Sequence, residues 1–240
     1  MKLLLLPLYM LMPMMGICQL LIQPGNAAIE YKRIANEETR MNWYLLQDTT
    51  KIAIGTVFNR IITDSQYIML VSTVQMRHDA GPRIDTTIAD RNTLRPVYHA
   101  SYNADRDMTI HYNDLITASY ADKRQGNNIS VTDTSTSSCF DSNLYPTLIR
   151  WLPLKTGFMK DLAIYDFNPG GRKGVMKASI IAVRQCDYEP EPDVLKKVWM
   201  VIVRDDMGAG TTTYFIDVQS RKLWKMIISV GDRKMLMEAA

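Results

Sequence analysis

Hydrophobic and polar residues alternate along most of the chain from residue 43 to the C-terminus. In the run QYIMLVSTVQM at 66–76, apolar residues recur with a period close to two rather than at helical spacing. A period of two places every second side chain on the same face of a strand. The pattern predicts strands at 52–62, 65–76, 84–89, 96–102, 107–112, 115–121, 128–133, 162–167, 175–183, 194–204, 211–216, 223–230 and 234–237.

Short turns separate these predicted strands. The stretches NPGGRKG at 168–174 and DVQSRK at 217–222 contain the Gly, Pro and Asp residues that tight turns favour. About a dozen strands joined in this way are typical of an antiparallel meander, which must curl or close to limit its exposed edges. The sequence therefore predicts an all-β fold, a curled half-barrel or open barrel with one short helix as its plug or lid.

The pattern changes in the stretch DSNLYPTLIRWLPLKTGF, here called the central segment (residues 141–158). Asp141 or Ser142 is expected to cap a short helix, and Pro153 is expected to end it. The helix is apolar around much of its circumference, which indicates burial against the sheet. It either fills the mouth of the curled sheet as core or covers a cavity for an apolar ligand. In the second case the predicted ligand-binding residues are Leu148, Trp151 and Phe158.

The first eighteen residues predict a signal peptide. Lys2 precedes an apolar stretch from residue 3 to residue 17, and small side chains at Gly16 and Cys18 indicate cleavage between Cys18 and Gln19. The alternative is a retained anchor, because apolar residues resume at 20–22. Cleavage would leave one β domain at 19–240 and an exported protein, located in the periplasm or at the cell surface.

Removal of the signal peptide would leave two cysteines, Cys139 and Cys186. In an oxidising compartment they allow a single disulfide. The alternative is two unrelated thiols, of which one is buried as a small apolar side chain.

Composition and charge exclude some functions. Hydrophobic residues make up 47% of the chain and charged residues 22%, which supports an ordinary globular core. The net charge is +3, and the basic residues are scattered instead of forming a patch, so nucleic-acid binding is not expected.

The sequence contains no recognisable catalytic motif or metal site. His78, His99 and His111 are isolated and lack ligand spacing, so each is expected to be an ordinary surface or hydrogen-bonded residue. No G-x-S-x-G motif is present. Neighbouring acidic pairs lie at predicted turns, where Asp is common for backbone reasons. We therefore expect neither enzymatic activity nor a cofactor.

Several motifs in the second half of the chain resemble a known family. They are Phe140–Asp141, Tyr145–Pro146, Leu148, Leu152–Pro153–Leu154, Gly157–Phe158, the alternating Trp199, Val201 and Val203, the stretch 214–217, and the turn 220–222. This order resembles the exported domain-of-unknown-function family 3108 of Gram-negative envelopes, best over 139–240 and more loosely over 43–138. The resemblance implies a fold and a compartment, and it carries no catalytic residue to this chain.

Two functions remain open from the sequence. The first is an envelope protein that binds an apolar ligand, such as a lipid or a lipidated protein, and that contacts membranes only peripherally. The alternative is an interaction or structural module of an envelope complex, without a small ligand. A carbohydrate-active enzyme is a third hypothesis, and it would need two carboxylates facing one cleft, about 5–10 Å apart.

Overall fold

The computed structural model describes residues 21–48, 50–133, 138–208 and 210–240. The predicted signal peptide and its cleavage site lie outside these ranges. The strands of the described residues are β1 (Leu21–Ile22), β2 (Glu37–Gln47), β3 (Thr50–Thr63), β4 (Tyr67–Met76), β5 (Arg83–Asp90), β6 (Pro96–Tyr102), β7 (Arg106–Tyr112), β8 (Ile116–Asp122), β9 (Asn128–Asp133), β10 (Phe140–Asp141), β11 (Lys160–Phe167), β12 (Lys173–Glu191), β13 (Val194–Asp205), β14 (Thr211–Asp217), β15 (Leu223–Val230) and β16 (Arg233–Ala239). One helical turn, α1 (Tyr145–Leu148), continues into a 3-10 helix at Ile149–Trp151, and another 3-10 helix spans Tyr31–Arg33.

These strands form one sheet, as the alternating pattern predicts. The strand order is β1-β11-β12-β13-β14-β15-β16-β2-β3-β4-β5-β6-β7-β8-β9, and β10 pairs with β11 next to β1. The short strands β1 and β10 pair in parallel with β11, and the other ladders are antiparallel. No ladder among the described residues joins β9 to the other end of this path. The predicted all-β, curled and unclosed sheet is therefore confirmed.

The sheet rolls until its two ends overlap, and β11 shows this by being buried on both faces. Leu162 and Ile164 belong to the main hydrophobic core. Their neighbours Ala163, Tyr165 and Phe167 point the other way, into a second core with residues of β7 and β8. Because side chains alternate along a strand, burial of consecutive residues requires a layer on each side.

The central segment forms the predicted short helix, but its start differs from the prediction. Pro146 lies in the first turn of α1, as expected. The prediction that Asp141 or Ser142 caps the helix is wrong, because Leu144 is the residue before the first helical residue and no side chain caps it. The carboxylate of Asp141 is instead bonded to side chains of the sheet.

The hairpin of β12 and β13 is longer than predicted. The strands predicted at 175–183 and 194–204 leave the stretch 184–193 outside any strand, yet β12 continues to Glu191. β11 pairs with β12 only as far as Ile180, and β14 pairs with β13 from Val198 onward. Residues 187–197, here called the hairpin arm, therefore pair only with each other in the sheet. Pro190 is tolerated in this arm because no neighbouring strand needs its missing N–H.

Candidate functional site

The concave face of the sheet contains a cavity of about 240 Å³, here called the apolar cavity. Strands β2 to β5, β15 and β16 form its walls, and the central segment closes one side. Its apolar lining includes Met41, Trp43, Val57, Val74, Met226 and Met237.

The strand register explains why these side chains meet. Met41 pairs with Val57, and Val57 pairs with Val74, so the three form a row across β2, β3 and β4. Trp43 and Met237 also pair with each other, two residues further along β2. Residues two apart on a strand share a face, so Met41 and Trp43 of β2 both line the cavity.

The next row in the opposite direction is polar. Thr39, Asn59, Ser72 and Asp85 are successive partners across β2, β3, β4 and β5, and all four line the apolar cavity. This polar row, here called the polar floor, therefore lies beside the apolar row on the same concave face of the sheet. Such a pairing suits a ligand that has one apolar and one polar part.

The central segment presents two different sides. Pro146, Thr147 and Arg150 line the apolar cavity. Leu148 and Trp151 point into the main core, where their relative exposures are 0% and 2%.

The three predicted ligand-binding residues do not line the apolar cavity. Leu148, Trp151 and Phe158 are all buried within the main hydrophobic core. Successive residues of a helix point in different directions around its axis, and Leu148 and Trp151 lie on the side that packs into the main core. That these three residues contact a ligand stays a prediction. Other residues form the wall of the apolar cavity.

Arg150 fixes the central segment against the sheet. Its Nη2 donates to both carboxylate oxygens of Glu37, at 2.7 and 2.9 Å. Its Nε donates to the backbone oxygen of Arg221, at 2.7 Å. Because the side chain is buried and each bond is charge-assisted, one end of the apolar cavity is held rigidly.

A second cavity of about 310 Å³, here called the polar cavity, adjoins the first. The two cavities share the lining residues Asp85 and Asn143. His99, Arg106 and Asp166 also line the polar cavity. The polar floor of the first cavity therefore leads towards a group of charged side chains.

Asp141 is the centre of a buried hydrogen-bond network behind the polar cavity. Its carboxylate accepts bonds from Thr87 Oγ1 at 2.6 Å and from Tyr112 Oη at 2.7 Å. It also pairs with His99 Nδ1 at 2.7 Å and accepts from the backbone N–H of Asn143 at 3.0 Å. The residue is fully buried, so these partners replace the water that an ionised carboxylate requires.

This network sets the charge of His99. Burial alone would lower the pKa of His99, but the charge and hydrogen bond of Asp141, together with Asp85, raise it to about 10. Burial likewise opposes ionisation of Asp141, but His99, Thr87 and Tyr112 hold its pKa below the usual range. The pair is therefore an imidazolium and a carboxylate at neutral pH.

Two donors of the polar cavity have no acceptor within the part of the chain that the structure describes. Nε2 of His99 and Nε of Arg106 are buried, and neither has a hydrogen-bond partner among the described residues. The closest carboxylate oxygen recorded for His99 Nε2 is Asp85 Oδ1, at 4.0 Å, which is beyond hydrogen-bond distance. Within the described ranges, no group of three or more His, Cys, Asp or Glu residues is placed to hold a metal ion.

The two cysteines form no disulfide in this structure. Cys139 is buried in the second core between β7, β8 and β11, and burial raises the pKa of its thiol to about 12. Cys186 lies on β12 opposite Val198, outside that core. The two thiols are therefore not bridged in this structure, and a disulfide between them stays a prediction.

A family model described as a protein of unknown function, DUF3108, matches residues 40–238. The chain belongs to the DUF3108 family. The resemblance carried by the motifs of residues 139–240 is thereby confirmed, and the match also includes strands β2 to β9, where the motifs are sparse. No curated protein matches the chain.

A solved structure supports the fold of this DUF3108 member. It is a beta-barrel-like protein of the domain of unknown function DUF1849 from Brucella abortus, with a TM-score of 0.52. The two chains are 12% identical, and the match covers 87% of this chain and 97% of that chain. At this identity the likeness shows the fold alone. Among the described residues, no helix has the length and apolar character that crossing a bilayer requires.

Sequence reasoning missed the polar cavity. His99 looked like an ordinary polar residue because its partner Asp141 lies 42 residues away. No local pattern marks Asp141 as buried, because it follows Phe140 in the chain and neighbouring residues of a strand normally point to opposite faces.

Proposed function

We propose that this DUF3108 member is an exported envelope protein that binds an apolar ligand, such as a lipid or a lipidated protein segment. The observation that carries the proposal is the apolar cavity on the concave face of the sheet. Large apolar side chains such as Met226 and Met237 surround it, whereas a sheet with a purely structural role would fill this space with side chains.

Two features of the cavity wall favour a ligand. Methionine side chains adapt their shape, which suits a surface that receives a hydrocarbon chain. The indole Nε1 of Trp43 is buried without an acceptor among the described residues, so the wall also offers a hydrogen bond. We expect any contact of the protein with membranes to be peripheral.

We propose binding and not catalysis. With its pKa raised to about 10 by Asp141 and Asp85 against the effect of burial, His99 is already protonated at neutral pH and cannot act as a general base. The hydroxyl of Ser142 donates to Asp166 at 2.8 Å, so His99 does not activate it as a nucleophile.

Native mass spectrometry of the full chain, exported by a bacterial host, tests this function. The wild type should carry an apolar molecule that organic extraction removes. Val57→Phe fills the apolar cavity and should abolish that added mass. Val97→Phe makes the same change on an exposed position of β6 and should keep it. Apo masses for the wild type and the Val97 variant alike would contradict the proposal.

The hairpin arm favours a second candidate function, that of an interaction module without a ligand. Leu195 is 66% exposed at the end of this arm, where no ladder of the described residues joins the arm to another strand. If the arm binds a protein partner, Leu195→Glu should release that partner during size-exclusion chromatography of the envelope extract. Leu115→Glu, at another exposed leucine, should not. An unchanged elution of the Leu195 variant would exclude this candidate.

A further inference from the structure

Two buried hydrogen-bond donors line the polar cavity, and each belongs to a side chain that a second hydrogen bond holds in place. Nδ1 of His99 is held by Asp141 at 2.7 Å, which leaves Nε2 directed away from the network. Nη2 of Arg106 donates to Ser101 Oγ at 3.1 Å, while its Nε has no acceptor among the described residues. His99 is 4% exposed, so bulk water does not replace the missing acceptor. Buried donors are nearly always bonded in folded proteins, which indicates that a bound molecule supplies acceptors here.

The same cavity also offers acceptors. Although burial opposes its ionisation, contacts with His99 and Ser101 hold the pKa of Asp85 below its usual range. Asp166 accepts a hydrogen bond from Ser142, and its own pKa is raised by burial and by the charge of Asp141. A molecule in the polar cavity therefore meets carboxylate oxygens as well as N–H groups.

The charges argue against an anionic ligand. The cations of the site are His99 and Arg106. Asp141 already neutralises the first, and Asp85 faces both from the cavity wall. An added anion would be desolvated near carboxylates without a surplus of positive charge, which is unfavourable. Hydroxyl groups fit better, because each one both donates and accepts a hydrogen bond.

We infer that the polar cavity binds a neutral head group rich in hydroxyl groups, such as a glyceryl or glycosyl group. The hydrocarbon chain of the same molecule lies in the apolar cavity, because the two cavities adjoin at Asp85 and Asn143. This inference rests on the proposed function and names the class of its ligand: an amphiphile with a polyol head.

Isothermal titration calorimetry with four eight-carbon probes tests the inference. Octyl β-glucoside, 1-monooctanoylglycerol, octanoate and 1-octanol share a chain length and differ in the head group. The first three are used below their micellar concentrations, and 1-octanol is used below its solubility limit. For the wild type, at least one polyol probe should bind about tenfold more tightly than octanol, the ratio expected for one or two buried hydrogen bonds. The two polyol probes distinguish a glycosyl head from a glyceryl head.

A variant assigns that preference to the polar cavity. Arg106→Gln should bring polyol binding down to the level of octanol and leave octanol binding unchanged. Arg124→Gln is the matched control, because Arg124 has a side chain 74% exposed and lines neither cavity. Retention of the polyol preference in Arg106→Gln would overturn the inference.

The other outcomes separate this inference from the proposed function. Equal binding of all four probes to the wild type would overturn the polyol head and leave the apolar ligand intact. Tightest binding of octanoate would also overturn it, in favour of an anionic head. Failure of every probe to bind would contradict the proposed function itself.

A second variant tests the charge argument directly. Asp85→Asn removes a carboxylate that faces His99, and it should raise the affinity for octanoate relative to the polyol probes by about tenfold. An unchanged ratio would show that the carboxylate does not select against anions, which would overturn the charge argument for a neutral head.

Discussion

The apolar and polar cavities adjoin on one curved sheet, but different forces hold their walls in place. Around the apolar cavity, the central segment is supported from behind by close packing of residues such as Trp151 and Leu148. Behind the polar cavity, the support is a buried charge, Asp141, with its hydrogen-bonded partners. Packing tolerates small changes in shape, whereas a buried charge pair tolerates neither loss of a partner nor loss of a proton.

The largest effect should come from breaking the support of the polar cavity. Asp141→Asn leaves the imidazolium of His99 buried without its counter-charge, and we expect a loss of about 3–5 kcal/mol of unfolding free energy. Asp166→Asn is the control, because burial and the charge of Asp141 already raise the pKa of that carboxyl. Urea unfolding measures both, and similar losses for the two variants would contradict the special role of Asp141.

Breaking the support of the apolar cavity should lower the free energy of unfolding by an amount similar to or slightly smaller than that for Asp141→Asn. Trp151→Ala removes a large side chain from the main core, and the expected loss is about 3–4 kcal/mol. Thr147→Ala, on the cavity side of the same segment, should change stability by less than about 1 kcal/mol. If both substitutions cost the same, the two sides of the segment would not differ as the packing indicates.

Alkaline pH should weaken only the support of the polar cavity. The pKa of His99 is about 10 in the folded protein, above the value of about 6.5 expected when it is unfolded. Its contribution is therefore complete below pH 6.5 and declines as the pH rises towards 10. Between about pH 6.5 and 8.5, we expect titration of His99 to lower the free energy of unfolding by roughly 1–3 kcal/mol.

Chemical unfolding at several pH values measures this slope. His99→Gln should flatten it, even though the variant is less stable throughout. His111→Gln, at an exposed histidine of β7, should keep the wild-type slope. A slope that survives in His99→Gln would assign the titration to another group.

The smallest losses of stability are expected from substituting the arginines of the two cavities, Arg150 and Arg106, and the two losses should differ. Arg150 is buried and bonded through two nitrogens, but its partner Glu37 is partly exposed, so Arg150→Gln should cost about 1–2 kcal/mol. Arg106→Gln should cost less than about 1 kcal/mol, because its Nε has no acceptor to lose. Thermal unfolding compares the two, and a larger loss for Arg106 would indicate a structural role there.

Local sequence patterns predicted much of the fold. The alternation around Val57 predicted a strand that does line the apolar cavity, and Pro146 marked the start of a short helix. Strand β2, which carries Met41, was not among the predicted strands. The hairpin arm was missed because Pro190 reads as a loop signal, whereas a strand without an outer neighbour tolerates it. The cap predicted at Asp141 or Ser142 was wrong, because the carboxylate of Asp141 bonds to buried side chains of the sheet. Such partners cannot be read from neighbouring residues.

The sequence by itself determined the period of the strands, the position of the short helix and the family. These follow from interactions between residues close in the chain, which a single sequence displays directly. Only the tertiary structure decided which side of the central segment faces the cavity, and that His99 meets Asp141. Those outcomes depend on how far the sheet rolls and on the register of strands distant in the chain, because a shift of one residue would send each side chain to the other face.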